Sequence, residues 1–156
     1  MGIPEGKAGT VETLKVMRGL VRNYKKSLPI RNIALSVIQH LNGKDYGGEL
    51  QALQNYVRNR IRYVRDIRGV ETIQTPEATL QIGQGDCDDQ SVLLASLLES
   101  IGHPTRFVAI GFAPDQFDHV FVESRLGAGW ISAETTEPVG LGWQPPNVQA
   151  RLFIHN

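Results

Sequence analysis

The chain has 156 residues, one cysteine and no formal net charge, with 41% hydrophobic residues from which to build a core. A chain of this length is most simply a single domain, and it buries roughly 68–70% of its unfolded surface without needing a disulfide or structural metal. One cysteine excludes an intramolecular disulfide and a cysteine-rich zinc site, and it suits thiol chemistry in a reducing compartment. We therefore expect a cytoplasmic protein.

Residues 1–10 are polar and glycine-rich, without the apolar stretch of a signal peptide. No later run approaches the 18 or so apolar residues that a membrane helix needs. We therefore expect no export by that route and no membrane partner.

The two halves of the chain carry opposite charge. Residues 1–72 contain 13 Lys and Arg against 6 Asp and Glu, whereas residues 73–156 contain 3 against 10. We expect the halves to neutralise each other by packing together, or to present solvated faces. The alternative is a basic helical surface for an acidic partner, formed by Arg58, Arg60, Arg62, Arg65 and Arg68. No aromatic interleaving or DNA-binding motif favours nucleic acid as that partner.

Apolar residues at helical spacing predict three long helices in the first half of the chain. The first is capped by Thr10 and broken at Leu28-Pro29, and the second runs from Pro29 to Leu41. The third follows a turn at Gly47-Gly48 and ends near Tyr63. A cap at Thr75 then predicts a short helix over Pro76 to Gln81.

A fourth long helix is predicted from Cys87 to a left-handed cap at Gly102. After Gly102 the spacing of apolar residues changes from that of a helix to that of strands. Strands are predicted over residues 105–112, 118–125 and 130–134, with one more edge strand or strap over 148–154. Helices followed by strands indicate an α+β fold, in which the helix after Cys87 packs against an antiparallel sheet.

Cys87 lies between glycines and acids at a predicted helix start, whereas a structural cysteine prefers apolar neighbours. The unpaired N–H groups and positive dipole end of a helix favour thiolate. Asp86 is the predicted N-cap, although the charges of Asp86, Asp88 and Asp89 oppose ionisation of the thiol. A cationic imidazole would tip the balance, so we interpret Cys87 as a nucleophile.

One of four histidines is placed to act on this cysteine. His119 opens a strand directly after a polar turn, where its side chain can face a helix terminus. Glu134 ends the next strand, where a carboxylate can hold the second ring nitrogen. Cys87, His119 and Glu134 therefore form a candidate triad. The other histidines are interpreted as surface or structural residues: His40, His103 and His155.

Four motifs surround these residues: Gly85-Asp86-Cys87-Asp88-Asp89, Gly102-His103-Pro104-Thr105-Arg106, His119-Val120 and Trp130-x-x-x-Glu134-x-Thr136. Together they resemble the transglutaminase-like cysteine peptidase superfamily, in particular the small domains encoded by tailed phages and prophages. The resemblance spans about residues 56–136. It implies a papain-like core with the nucleophile at a helix N-terminus and the histidine and acid on adjacent strands.

This resemblance divides the expected single domain, 1–156, into three parts. They are a helical N-terminal extension over 1–45, a catalytic core over 46–137 and a C-terminal tail over 138–156. The family usually has Asp where this chain has Glu134, so Glu137 and Glu123 are the alternative acids.

The other candidate site residues concern the oxyanion and metals. The backbone N–H of Cys87 is the first predicted oxyanion donor, and the side-chain amide of Gln81 or Gln84 is a candidate for the second, unless both are simply solvent-exposed. The aspartates around Cys87 lack the glycine and terminal glutamate of a calcium loop, so we expect no metal and no cofactor. Trp130 and Trp143 are interpreted as core residues or cleft walls.

We therefore expect a thiol-dependent hydrolase or peptidase that cleaves an amide or isopeptide bond in a protein or peptide substrate. Transfer to an amine, as in a transglutaminase, requires walls that shelter a thioester from water, and aromatic residues make up only 7% of the chain. The alternative from another class is a phage virion structural or assembly protein. It would be virion-associated and would bind phage structural proteins through the helices of residues 10–45.

Overall fold

The structure is a computed structural model, and it describes residues 6–65 and 72–156. The elements within these ranges are α1 (Gly6–Tyr24), α2 (Leu28–Ile38), α3 (Tyr46–Arg60), β1 (Arg62–Tyr63), α4 (Pro76–Ile82), β2 (Gln84–Gly85), α5 (Cys87–Ser100), β3 (Thr105–Gly111), β4 (His119–Leu126), β5 (Gly129–Ala133) and β6 (Ala150–His155). The helices precede an antiparallel sheet, which confirms the α+β prediction. Arg68 of the predicted basic surface lies outside the described residues.

The main sheet has four strands in the order β5-β4-β3-β6, and every neighbouring pair is antiparallel. Ala109 of β3 pairs with Val120 of β4 on one side and with Leu152 of β6 on the other. The predicted terminal edge strand is therefore confirmed. A second pairing was not predicted: β1 runs parallel to β2, with Tyr63 opposite Gly85.

Helix α5 lies at the centre of the fold, between the sheet and the other helices. Its residues 87–98 are all buried, as expected of a helix without a polar stripe. The apolar faces of α1 and α2 share its core through Leu14, Met17 and Ile30. These faces are thus used within the chain, while Val16 of α1 and Leu35 of α2 remain exposed, so docking through these helices stays a prediction. In the described ranges, no helix is long and apolar enough to span a bilayer.

Two helix starts differ from the sequence prediction. Helix α1 begins at Gly6, and Thr10 lies one turn inside it, where its hydroxyl donates to the Gly6 carbonyl. Gly47 and Gly48 lie in the first turn of α3 instead of before it. The cause is Asp45, whose carboxylate accepts a hydrogen bond from the Gly48 N–H at 3.0 Å, since such a cap offsets the low helix propensity of glycine.

Two helix ends also differ. Helix α3 stops at Arg60 because Ile61 is extended and the next residue, Arg62, donates its N–H to the Gly83 carbonyl at 2.9 Å. Helix α2 stops at Ile38, three residues before Leu41. The caps at Thr75 and Asp86 are confirmed, as is the left-handed Gly102 after α5.

Candidate active site

A reciprocal cap fixes the start of α5 and so the position of Cys87. The Asp86 carboxylate accepts from the Asp89 N–H, and the Asp89 carboxylate accepts from the Asp86 N–H, each at 3.1 Å. Cys87 is therefore the first residue of α5, at the positive end of the helix dipole. Its side chain is held inside the fold, and the residue is 2% exposed.

His119 and Glu134 meet at the ends of adjacent strands. His119 is the first residue of β4, opposite Ile110, and Glu134 directly follows β5. His119 Nε2 lies 2.5 Å from Glu134 Oε2. The other ring nitrogen, Nδ1, is therefore available to interact with Cys87.

The other oxygen of Glu134 is fully engaged. Oε1 accepts from the N–H groups of Thr135 and Thr136, each at 3.0 Å, and from the Thr136 hydroxyl at 2.9 Å. These donors hold the longer glutamate side chain toward the imidazole. Glu134 is 1% exposed, and a carboxylate buried so completely requires such partners.

Helix α3 supports the loop that carries Glu134. Buried Gln54 donates to the Glu134 carbonyl at 2.8 Å and to the Val139 carbonyl at 3.2 Å. Arg58 donates to the Val139 carbonyl at 2.6 Å. Sequence reasoning missed Gln54, although a polar residue inside the apolar stripe of a helix is a recognisable signal of a buried hydrogen bond.

The pKa values of the pair indicate an imidazolium facing a carboxylate. Burial alone would lower the pKa of His119, but hydrogen bonds and Coulombic attraction to Cys87 and Glu134 outweigh it and raise the pKa to about 10. Burial alone would raise the pKa of Glu134, yet His119 and the donors of Thr136 bring it below its ordinary value. The geometry therefore favours the charged form of both groups.

Cys87 and His119 interact directly, since a side-chain hydrogen bond between them contributes to the raised pKa of His119. The Sγ atom also lies 3.8 Å from Asp88 Oδ1, a contact in which the thiol is the donor. The sulfur therefore contacts both the imidazole of His119 and the carboxylate of Asp88.

A second carboxylate ties the preceding segment to the start of α5. Asp89 accepts from the Gln74 N–H at 2.8 Å and from its side-chain amide at 2.9 Å. Burial, together with the charge of Asp86, raises the pKa of Asp89 to about 6 against these hydrogen bonds. This contact was not predicted from the sequence.

A groove with a volume of about 380 Å³ opens beside His119 and Glu134. The lining residues are Tyr63, Phe112, His119, Glu134, Thr136, Glu137, Trp143 and Pro145. Partial burial and then the charge of Cys87 raise the pKa of Tyr63, so this ring also lies within the electrostatic reach of the sulfur. Trp143 therefore forms part of a cleft wall, which is one of the two interpretations given above for this residue.

Gly111 allows the chain to turn sharply between β3 and β4. A Cβ atom at Gly111 would lie 1.5 Å from the Gln116 carbonyl oxygen. Only glycine permits this approach, which places Phe112 and His119 on the same groove.

Of the other predicted site residues, Glu137 lines the groove, whereas Gln81, Gln84 and Glu123 do not. Gln81 and Gln84 are exposed, at the end of α4 and in β2, and their assignment to the oxyanion stays a prediction. Glu123 is bound to Arg106 at 2.6 Å, and that arginine stacks on Trp130. Glu137 lines the groove, but Glu134 is the acid that holds His119.

The sequence model of the transglutaminase-like superfamily matches residues 34–135. This match covers well over half of the chain, and the chain belongs to that superfamily. A comparison with curated protein sequences returned no match.

Solved structures with the same fold include a candidate protease from Parabacteroides distasonis, with a TM-score of 0.66 at 12% identity over 85% of this chain. A candidate cysteine protease from Cytophaga hutchinsonii has a TM-score of 0.59 at 18% identity, also over 85%. Calcium-bound LapG of Legionella pneumophila has a TM-score of 0.59 at 16% identity over 87%. The chain spans 27%, 48% and 80% of these three proteins, respectively.

Proposed function

We propose that the chain is a thiol-dependent hydrolase that cleaves an amide or isopeptide bond in a protein or peptide. Cys87 is the nucleophile, His119 is the general base and acid, and Glu134 orients the imidazole. The observation that carries the proposal is the line of contacts from Glu134 through His119 to Cys87. The superfamily match and the cysteine protease-like neighbours support a fold of this class.

The proposed reaction has two steps. Cys87 Sγ attacks the carbonyl carbon, the C–N bond breaks, and His119 donates its proton to the departing amine, leaving a thioester. Water then attacks the thioester, His119 accepts a proton from that water, and the C–S bond breaks to release a carboxylic acid. Glu134 forms no bond to the substrate, but its charge stabilises the imidazolium.

Mass-spectrometric cleavage of a peptide library, with wild type beside Cys87→Ser, tests this proposal. Only the wild type should produce cleaved peptides. When hydroxylamine competes with water, the thioester should be trapped as a hydroxamate. Equal cleavage by both proteins would remove Cys87 from the mechanism. Amide products formed with an added amine, in place of acids, would favour the acyltransferase alternative, and the virion scaffold role stays a prediction.

A further inference from the structure

Exposed aromatic side chains converge on the groove beside His119. Tyr63, Phe112 and Trp143 line it and are 46%, 49% and 37% exposed. They come from β1, the residues after β3, and the tail. Elsewhere in the described residues, only Tyr46 and Phe153 leave a comparable aromatic surface in solvent. Three rings from separate segments that meet beside a candidate catalytic residue indicate a surface that a ligand covers.

The groove also carries an exposed carboxylate that belongs to no ion pair among the described residues. The Glu137 side chain is exposed and, within residues 6–65 and 72–156, forms no ion pair or hydrogen bond. Arg58 binds the backbone carbonyl of Glu137 instead, at 3.2 Å. None of the described lining residues is a lysine or arginine. With His119 and Glu134 paired, the described lining therefore carries one negative charge in excess beside its aromatic walls.

The combination of rings and charge distinguishes between classes of side chain. Ring faces alone would accept any apolar side chain. A lysine or arginine side chain would make two kinds of favourable interaction. Its stem packs on the rings, and its charge interacts with the ring faces and with a carboxylate. An acidic side chain would be repelled by Glu137.

We propose that this groove is a subsite for a basic side chain, so that the substrate carries lysine or arginine next to the bond that is cleaved. The inference rests on the proposed function, since it names the substrate class of the same site. The volume of about 380 Å³ is at the lower end of the roughly 300–1,000 Å³ of ligand pockets. It suits one long side chain and its adjoining backbone, so the recognised segment of the substrate is extended and not part of a folded domain.

The single cysteine allows a test that needs no known substrate. Methanethiosulfonate reagents transfer an S-alkyl group to a thiolate and release methanesulfinate, and they exist with cationic, neutral and anionic alkyl groups. The rate at which each reagent modifies Cys87 in the folded protein is measured by intact mass and divided by its rate with free cysteine, because the three reagents differ in intrinsic reactivity toward thiolates. We expect the order cationic, then neutral, then anionic, with about two- to fivefold between the first two at low salt, and a smaller difference at high salt.

Matched variants assign the preference to the groove. Glu137→Gln should remove most of the cationic preference, and Trp143→Ala should reduce the cationic rate more than the anionic rate. Glu12→Gln removes the same charge from an exposed position on α1, and Phe153→Ala removes an exposed ring outside the groove, so both should behave as wild type.

The possible failures are distinguishable. Equal rates for all three reagents, or a cationic preference that survives Glu137→Gln, would overturn the subsite while Cys87 remains a reactive thiol. A neutral reagent that reacts as fast as the cationic one would make the groove an apolar subsite. A Cys87 that no reagent modifies in the folded protein would instead contradict the proposed function itself.

Discussion

Two partly buried histidine–glutamate pairs lie at opposite ends of α5, and their hydrogen bonds have nearly the same length. His119 Nε2 lies 2.5 Å from Glu134 at the helix start, and His103 Nε2 lies 2.7 Å from Glu49 beyond the helix end. His119 shares a hydrogen bond with Cys87, whereas His103 packs edge-on against the ring of Tyr46. The hydrogen bond alone therefore does not define an active site. The thiol at the helix N-terminus, which interacts with His119, makes the difference.

Removing each imidazole in turn should give the largest difference between the two pairs. His119→Ala should lower kcat/KM by roughly 10³-fold or more, because the general base and the counter-charge of the thiolate are both lost. His103→Ala should keep turnover within a few-fold of wild type. It should lower the free energy of unfolding by about 1–3 kcal/mol, since Glu49 loses its partner. Peptide hydrolysis and urea unfolding measure the two effects, and equal loss of activity in both variants would contradict the assignment.

The two carboxylates give the next largest contrast. Glu134→Gln should lower kcat by about 10²- to 10⁴-fold, because a side-chain amide facing His119 Nε2 favours the neutral ring in the wrong tautomer. Glu49→Gln, at the other pair, should leave kcat nearly unchanged. Steady-state kinetics with both purified variants checks this, and a Glu134→Gln enzyme of wild-type activity would mean that Glu134 does not orient the base.

The pH dependence tests the His119–Glu134 pair directly. The pKa of His119 is raised to about 10 from 6.5, so its contribution to folding stability is complete below 6.5 and is lost as pH rises through about 10. The lowered pKa of Glu134 acts in the opposite direction, with a contribution present above 4.5 and lost as pH falls through its folded value. We expect kcat/KM to show an alkaline limb near pH 10 that moves to lower pH in Glu134→Gln. An unmoved limb would show that another group titrates there.

The smallest expected contrast concerns the carboxylates that fix the two ends of α5. Asp89 holds Gln74 at the start, and Glu99 accepts from the Thr105 N–H at 2.6 Å at the end. Replacing either by alanine should cost about 1–3 kcal/mol of unfolding free energy. Only Asp89→Ala should also slow turnover, by about tenfold, because Asp89 positions the residue before Cys87.

The pH profile of Asp89→Ala provides a control for that assignment. The pKa of Asp89 is raised to about 6, so its carboxyl stabilises the fold most below 3.8 and loses that contribution as pH rises through about 6. The destabilisation by Asp89→Ala should therefore be smaller at about pH 8 than at about pH 4. Urea unfolding at the two pH values measures it, and a pH-independent loss would contradict the raised pKa.

Local signals in the sequence predicted most of the fold. Caps and strand alternation depend on residues that are neighbours in the sequence. The predicted caps at Thr75 and Asp86 are confirmed for this reason. The turn predicted at Gly47 and Gly48 was wrong, because the cap formed by Asp45 outweighs the low helix propensity of the two glycines. The β1–β2 pair could not be predicted, since two strands of two residues carry no periodicity and depend on contacts distant in the chain.

The candidate triad was predicted from motif spacing, but its supports were not. Gln54 donates to the backbone carbonyl of Glu134 from a helix, and Thr136 donates to its carboxylate from a loop. No sequence pattern states which residue such donors bind. The groove was beyond prediction for the same reason, because Phe112 and Trp143 meet only through the tertiary fold.

The most direct test is the rate at which iodoacetamide alkylates Cys87 in the folded wild type and in His119→Ala. We expect wild-type Cys87 to react much faster than free cysteine. In His119→Ala the rate should fall toward that of free cysteine, because the imidazole that contacts the sulfur is lost. A Cys87 that stays unreactive in the folded wild type, or that reacts equally fast in both proteins, would contradict the assignment of Cys87 and His119.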